Sequence, residues 1–226
     1  MTQKFVENLR KFNRKERFYL IGMALGNQDF AISKEFTSLL RNTFKGSGID
    51  FHDRWFAAMD YHIDWIYASL LLSSEATATA KTVDGIPVYP RDKAGKCITA
   101  TQQDIDFVLA FGDEADASLT HLIMLEAKGA TGWTNSQLSE KAERLAAIFG
   151  HEGKRWKYIA LPHFVIISPR KPSKRLNVNG FPEFMVPNGD LLWLEMPMPE
   201  GLQKITRCDD NTKETQHGNF WKVEKK

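Results

Sequence analysis

Three charged residues of this 226-residue chain stand at the ends of apolar runs. Asp106 sits near the start of the run 105–111 (IDFVLAF), and Glu126 and Lys128 close the run 119–127 (LTHLIMLEA) and follow it. Both runs read as strands, and the polar turn between them reads as a hairpin with a long loop. Side chains alternate along a strand, so Glu126 and Lys128, two apart, project to one face, and hairpin pairing brings Asp106 beside them. Two carboxylates converging from adjacent strands make an oxygen-rich site for a hard divalent cation, Mg2+ or Mn2+. An ammonium has no lone pair to give a metal, so the work of Lys128 is with the substrate: stabilising charge at a phosphate, or helping to orient and deprotonate a water. Metal-holding carboxylates beside a lysine suit phosphodiester hydrolysis. A metal-free glycosidase would use Asp106 and Glu126 as acid and base, and leaves Lys128 without a task.

The elements that must position these residues follow from periodicity. Residues 53–73 step through Trp55, Met59, Ile63, Ile66, Tyr67 and Leu70 at helical spacing, which predicts one long buried helix. A loop rich in Gly and Pro follows, with room for a short hairpin, and leads into a strand candidate at 97–101. After the two strands already named, 134–149 predicts a helix through Leu138, Ala142, Leu145 and Phe149, and 163–168 a buried strand. Upstream, Phe18, Ile21 and Leu25 mark one helix; Ser33 as N-cap with Phe36, Leu39, Leu40 and Phe44 marks another. Downstream, 191–196 is a strand candidate, and a polar tail runs from Cys208. The expected fold class is α/β in a single domain: an N-terminal helical layer (1–52), a core of helix, three strands, helix, strand (53–168) and an irregular C-terminal extension (169–226).

Asp106 with Glu126-Ala127-Lys128 resembles the signature of the PD-(D/E)XK nuclease superfamily, the restriction-endonuclease-like fold. There, an Asp on one strand is followed by Glu or Asp, any residue and Lys on the next. Ile105 stands where that pattern has Pro. The resemblance covers 53–168, about half the chain, and implies a magnesium- or manganese-dependent endonuclease cutting DNA with a metal-activated water. It implies Asp106 and Glu126 as ligands, the Ala127 carbonyl completing the shell, Lys128 as the catalytic cation and Gln137 assisting from the next helix. It also makes Asp60, on the long helix, the favoured fourth carboxylate over Asp64, with Glu35 a weaker candidate. A solvated polar stripe would account for Asp60 and Asp64 equally. The alternative from another class is a non-catalytic nucleic-acid-binding or structural protein that retains the fold.

Bulk charge does not select the partner: 30 Lys and Arg against 28 Asp and Glu leave +2, so nucleic acid must be held by local patches. Two segments qualify. Arg10, Lys11, Arg14, Lys15 and Arg17 form one; Lys154, Arg155, Lys157, Arg170, Lys171, Lys174 and Arg175, with Trp156 and Tyr158 placed to stack on a base, form the other. Surface solvation explains such residues as well. His62 and His163 read as core or hydrogen-bonded histidines rather than ligands, and Asp113, Glu114 and Asp116 as solvated turn residues. Cys97 and Cys208 have no metal-ligand spacing and read as free thiols. No apolar stretch approaches the roughly 20 residues of a membrane span, and the charged start does not resemble a signal peptide, so a cytoplasmic protein is expected. Cutting both strands of a duplex would favour a homodimer.

Overall fold

The structure, a computed structural model, describes residues 2–12, 16–27, 30–49, 51, 55–74, 80–101, 103–113, 116, 118–129, 133, 135–172 and 176–225. The expectations resting on Asp53, Arg14, Lys15, Glu114, Lys174 and Arg175 lie outside these residues. In chain order the elements are α1 (Thr2–Phe12), α2 (Glu16–Ala24), α3 (Lys34–Thr43), β1 (Phe56–His62), α4 (Ile63–Ser73), β2 (Lys81–Val83), β3 (Ile86–Val88), β4 (Asp104–Gly112), β5 (Thr120–Ala127), α5 (Asn135–Phe149), β6 (Ala160–Ser168), β7 (Leu192–Glu195), β8 (Gln203–Cys208) and β9 (Phe220–Lys225).

The architecture is mixed α/β. One five-stranded sheet runs in the order β1-β4-β5-β6-β7. The first two neighbouring pairs are antiparallel and the last two parallel. A parallel neighbour requires a crossover, and α5 supplies it between β5 and β6. Each face of the sheet has its own core. On one, Phe5 and Leu9 of α1, Ile66 and Leu70 of α4, and Leu138, Ala142 and Leu145 of α5 pack with Val108, Leu122, Met124, Phe164 and Ile166. On the other, Phe36, Leu40 and Phe44 cover Leu109, Phe111, Ile123, Leu125 and Val165. Ser33 caps α3 as expected, its Oγ accepting from the Phe36 N–H at 3.1 Å.

Three expectations change. The run 53–73 is not one helix: residues 56–62 form β1, and only from Ile63 does the chain become α4. FAAMDYH is buried on both faces at Phe56, Ala57 and Ala58, so it lacks the alternation that announces a half-exposed strand. Residues 97–101 are irregular, and the strand expected there is instead β1, at the sheet edge beside β4. The tail beyond Cys208 belongs to an antiparallel ribbon, β8 with β9. The hairpin before Cys97 is present as β2 and β3. Both cysteines are free and buried. Among the described residues no helix is long and apolar enough to cross a membrane.

Candidate functional site

β4 and β5 pair from Gly112 opposite Thr120 to Phe107 opposite Leu125, and one step further along this register Asp106 comes opposite Glu126. At that step the ladder gives way to side chains. The Asp106 carboxylate accepts the Ala127 N–H at 2.8 Å, filling the place of a backbone carbonyl. Ile105 and Val108 pack in the core under α1, α4 and α5, whereas Phe107 and Leu109 face α3. Strand alternation therefore breaks at Asp106, which frees its side chain to lie along the sheet edge of the pairing. Glu126 keeps the parity of Leu122 and Met124 and points under α5, with only 6% of its surface exposed.

The buried Glu126 carboxylate meets the Lys141 ammonium of α5 in an ion pair whose side chains are 7% and 14% exposed. Burial pushes its pKa up from 4.5 to about 7; Lys141 and the Asp106 backbone N–H pull it down, and the Asp106 carboxylate pushes it up again. The strand register sets the two acidic residues opposite each other. Lys128 continues the ladder beyond β5, its N–H donating to the Ile167 carbonyl at 2.9 Å. It thus projects to the Glu126 face and is half-buried. Gln137 is exposed in the first turn of α5, four residues before Lys141 and on the same side of the helix. Asp106, Glu126 and Lys141 consequently stand at one end of the central strands, with Lys128 two residues beyond Glu126.

Asp60 lies on β1 rather than on a helix. The pairs Met59 with Phe107 and Tyr61 with Ile105 set it beside Asp106 across the β1/β4 register. Its φ of 44° is a conformation few residues other than glycine adopt, and β1 changes face there: Ala58 and Tyr61 reach the same core. The Asp60 carboxylate accepts from Arg17 of α2 at 3.1 Å. Asp64 has a different role. It pairs with Arg144 of α5 and accepts the N–H groups of Thr99 and Ala100 at 3.1 and 2.9 Å. These bonds fasten the irregular 97–101 segment between two helices. Glu35 is an exposed first-turn residue of α3, which covers the opposite sheet face, so it stands apart from the site.

The remaining expectations divide. His163 meets the His121 ring at 3.0 Å, and His121 meets Asp113 at 2.8 Å. Asp113 is therefore part of a side-chain network and not merely a solvated turn residue. Burial and the neighbouring His121 lower His163 to about 3. The His62 ring lies against Trp65 at a tilt of 56°, and His62 lies 3.2 Å from Asp104. Several basic residues of the two segments have local partners: Arg10 lies over Phe56, Arg155 over Trp156 and Lys157 over Tyr158. Trp156 donates to the Ile148 carbonyl, while Tyr158 is exposed.

Sequence reasoning missed Lys141. Its spacing of four from Gln137 was the available signal, but which side of α5 faces the sheet is fixed only by packing of Leu138, Ala142 and Leu145. The oxygen donors fit a hard divalent cation: a buried carboxylate already drawing a cation to itself, a second carboxylate beside it, and the carbonyl of the residue between Glu126 and Lys128. Among the described residues no group of three or more His, Cys, Asp and Glu gathers as a metal site; the oxygens that could hold a cation here are those of two carboxylates and the backbone. No family model matches the chain, and no curated protein or solved structure matches it.

Proposed function

We propose that this protein is a divalent-metal-dependent nuclease that hydrolyses phosphodiester bonds of DNA. The observation that carries the reading is the Asp106 carboxylate bonded to the Ala127 N–H, next to Glu126, where the β4/β5 ladder ends, with Glu126 paired to Lys141; strand alternation assigns Lys128 to the face of Glu126. The element order supports the restriction-endonuclease-like resemblance in a revised form. An N-terminal helix, the strands β1, β4 and β5, the crossover α5 and β6 reproduce helix, three strands, helix, strand, with α4 and the β2/β3 hairpin inserted after the first strand.

Asp106, Glu126 and the Ala127 carbonyl would hold the cation, with Asp60 beside Asp106 in register as a further carboxylate once released from Arg17. A bound Mg2+ or Mn2+ supplies Lewis-acid polarisation of the phosphate oxygens. Lys128 cannot ligate; its ammonium balances charge growing on the phosphate in the transition state. Lys141 neutralises Glu126 and keeps the buried carboxylate oriented along the sheet end. Gln137, one turn earlier and exposed, is placed to orient substrate by hydrogen bonding. One site per chain cuts one strand, so cutting a duplex through would engage two chains.

The test is cleavage of supercoiled, linear and single-stranded DNA and of RNA with Mg2+ or Mn2+. Wild type should cut a DNA form only with metal, and Asp106→Asn and Glu126→Gln should abolish cutting. Metal-independent cleavage, or cleavage retained by both variants, refutes the reading.

A further inference from the structure

The sheet carries the face of Glu126 two strands further. In the parallel register Glu126 pairs with Ile166 and Ile166 with Trp193, so the three side chains share one face. Around the last two lies a cleft of about 240 Å³ lined by Ile166, Lys171, Pro172, Leu176, Asp190, Leu191 and Trp193. Strand spacing of roughly 4.8 Å puts its centre about 10 Å from the catalytic carboxylate. We propose that this cleft binds one unpaired nucleobase next to the scissile phosphate, guanine by preference, so that the substrate is single-stranded or locally unpaired DNA.

Size comes first. The volume falls below the roughly 300–1,000 Å³ of sites that enclose drug-sized ligands, and suits one planar ring system. The lining is mostly apolar around an indole whose nitrogen is already engaged, donating to Ser168 Oγ at 3.0 Å. Trp193 thus offers an occupant its ring rather than a hydrogen bond, the requirement of a stacking platform. The two charged lining residues are exposed and chemically distinct. Lys171, with Arg170 before it, supplies positive charge for a phosphate. Asp190 is acceptor-only when ionised. A carboxylate accepts from the adjacent N1–H and N2–H of guanine, or the single amino group of cytosine or adenine, whereas the carbonyls flanking the one N–H of thymine repel it. A base inside a duplex cannot reach such a cleft without leaving its stack, and extrusion costs energy that an unpaired base does not spend. Continuity with the Glu126 face places this base within about one or two nucleotides of the bond to be cut. The inference rests on the nuclease reading for its biological sense, but not for its binding measurement.

The experiment is fluorescence anisotropy of labelled oligonucleotides in EDTA, where no cleavage intervenes. The probes are an eight-nucleotide strand of thymines with one central guanine, the same strand with the guanine replaced by an abasic site, the all-thymine strand and a blunt duplex. The guanine probe should bind about tenfold or more tighter than the abasic one and tighter than the duplex. Trp193→Leu should weaken it roughly five- to hundredfold, as removal of one base stack does. Asp190→Asn, a surface change that leaves the fold intact even if Trp193→Leu does not fold, should erase the preference for guanine over thymine. Equal binding of the guanine and abasic probes, or an Asp190→Asn protein that discriminates like wild type, overturns the proposal. Cleavage with metal by a wild type lacking base preference would sink this subsite alone. Base-selective binding by a wild type that cuts nothing would sink the nuclease reading and leave the subsite standing.

Discussion

Glu126 is held at odds with its own chemistry: a carboxylate nearly out of water, with pKa raised from 4.5 to about 7 chiefly by burial. Between these values the folded chain holds a proton the unfolded chain has lost, so stability falls as pH rises from about 4.5 to about 7 and levels above. Glu126→Gln should remove that slope, and its stability relative to wild type should climb by up to about 3 kcal/mol across the window, read from urea midpoints at pH 5 and 8. The same proton competes with a metal, so wild-type affinity for Mn2+ should rise as pH approaches 7 and flatten beyond it. Lys141→Met leaves Glu126 buried without its cation, and such a loss costs about 3–5 kcal/mol when the carboxylate must stay ionised. Because Glu126 can instead take a proton, the measured cost should be smaller at pH 6 than at pH 8. That Asp106 falls opposite Glu126 was legible because hairpin pairing operates over few residues. Lys141 and the Arg17 partner of Asp60 were not, since both depend on how helices far away in sequence rotate onto the sheet.

At the scale of elements, β4, β5, α5 and β6 could be read from periodicity, whereas β1 was hidden inside an apparent helix. Trp55, Met59, Ile63 and Ile66 fall at helical steps by chance of two adjoining elements, and a strand buried on both faces has no period of two to display. α1 escaped notice although Phe5 and Leu9 are fully buried. The β8/β9 ribbon was obscured because its strands are short and widely separated. What joins α4 to α5 is a polar staple: Asp64 with Arg144, and Arg144 in turn with Gln103 Oε1 at 3.0 Å and the Lys96 carbonyl at 3.1 Å. Ala100, at φ 58°, is held by its N–H to Asp64. Asp64→Ala would strand the buried Arg144 and free this segment. The expected loss is about 3–5 kcal/mol of stability, measured by denaturant unfolding, while Asp60→Ala, whose partner Arg17 is exposed, should cost less than about 1 kcal/mol.

Across the whole molecule, the mixed sheet brings one end of β4, β5 and β6 together with the start of α5, and the site forms where these ends meet. Net charge of +2 gives no general pull on nucleic acid, so under the proposed function DNA would be held by residues near this end, Lys128, Arg170 and Lys171 among them. About three phosphate contacts predict a salt slope near −2 in log K against log salt for single-stranded DNA. The most direct measurement of the central claim is calorimetric titration of Mn2+ and Mg2+ into wild type, Asp106→Asn, Glu126→Gln and Lys128→Ala at pH 8, with cleavage rates taken on the same preparations. Wild type should bind the ion and cut DNA. The two carboxylate variants should lose both. Lys128→Ala should bind metal as well or slightly better, yet cut about a hundredfold or more slowly, as removal of one transition-state donor does. A wild type that binds neither ion and cuts no DNA or RNA, or a Lys128→Ala protein that cuts at the wild-type rate, would contradict the account.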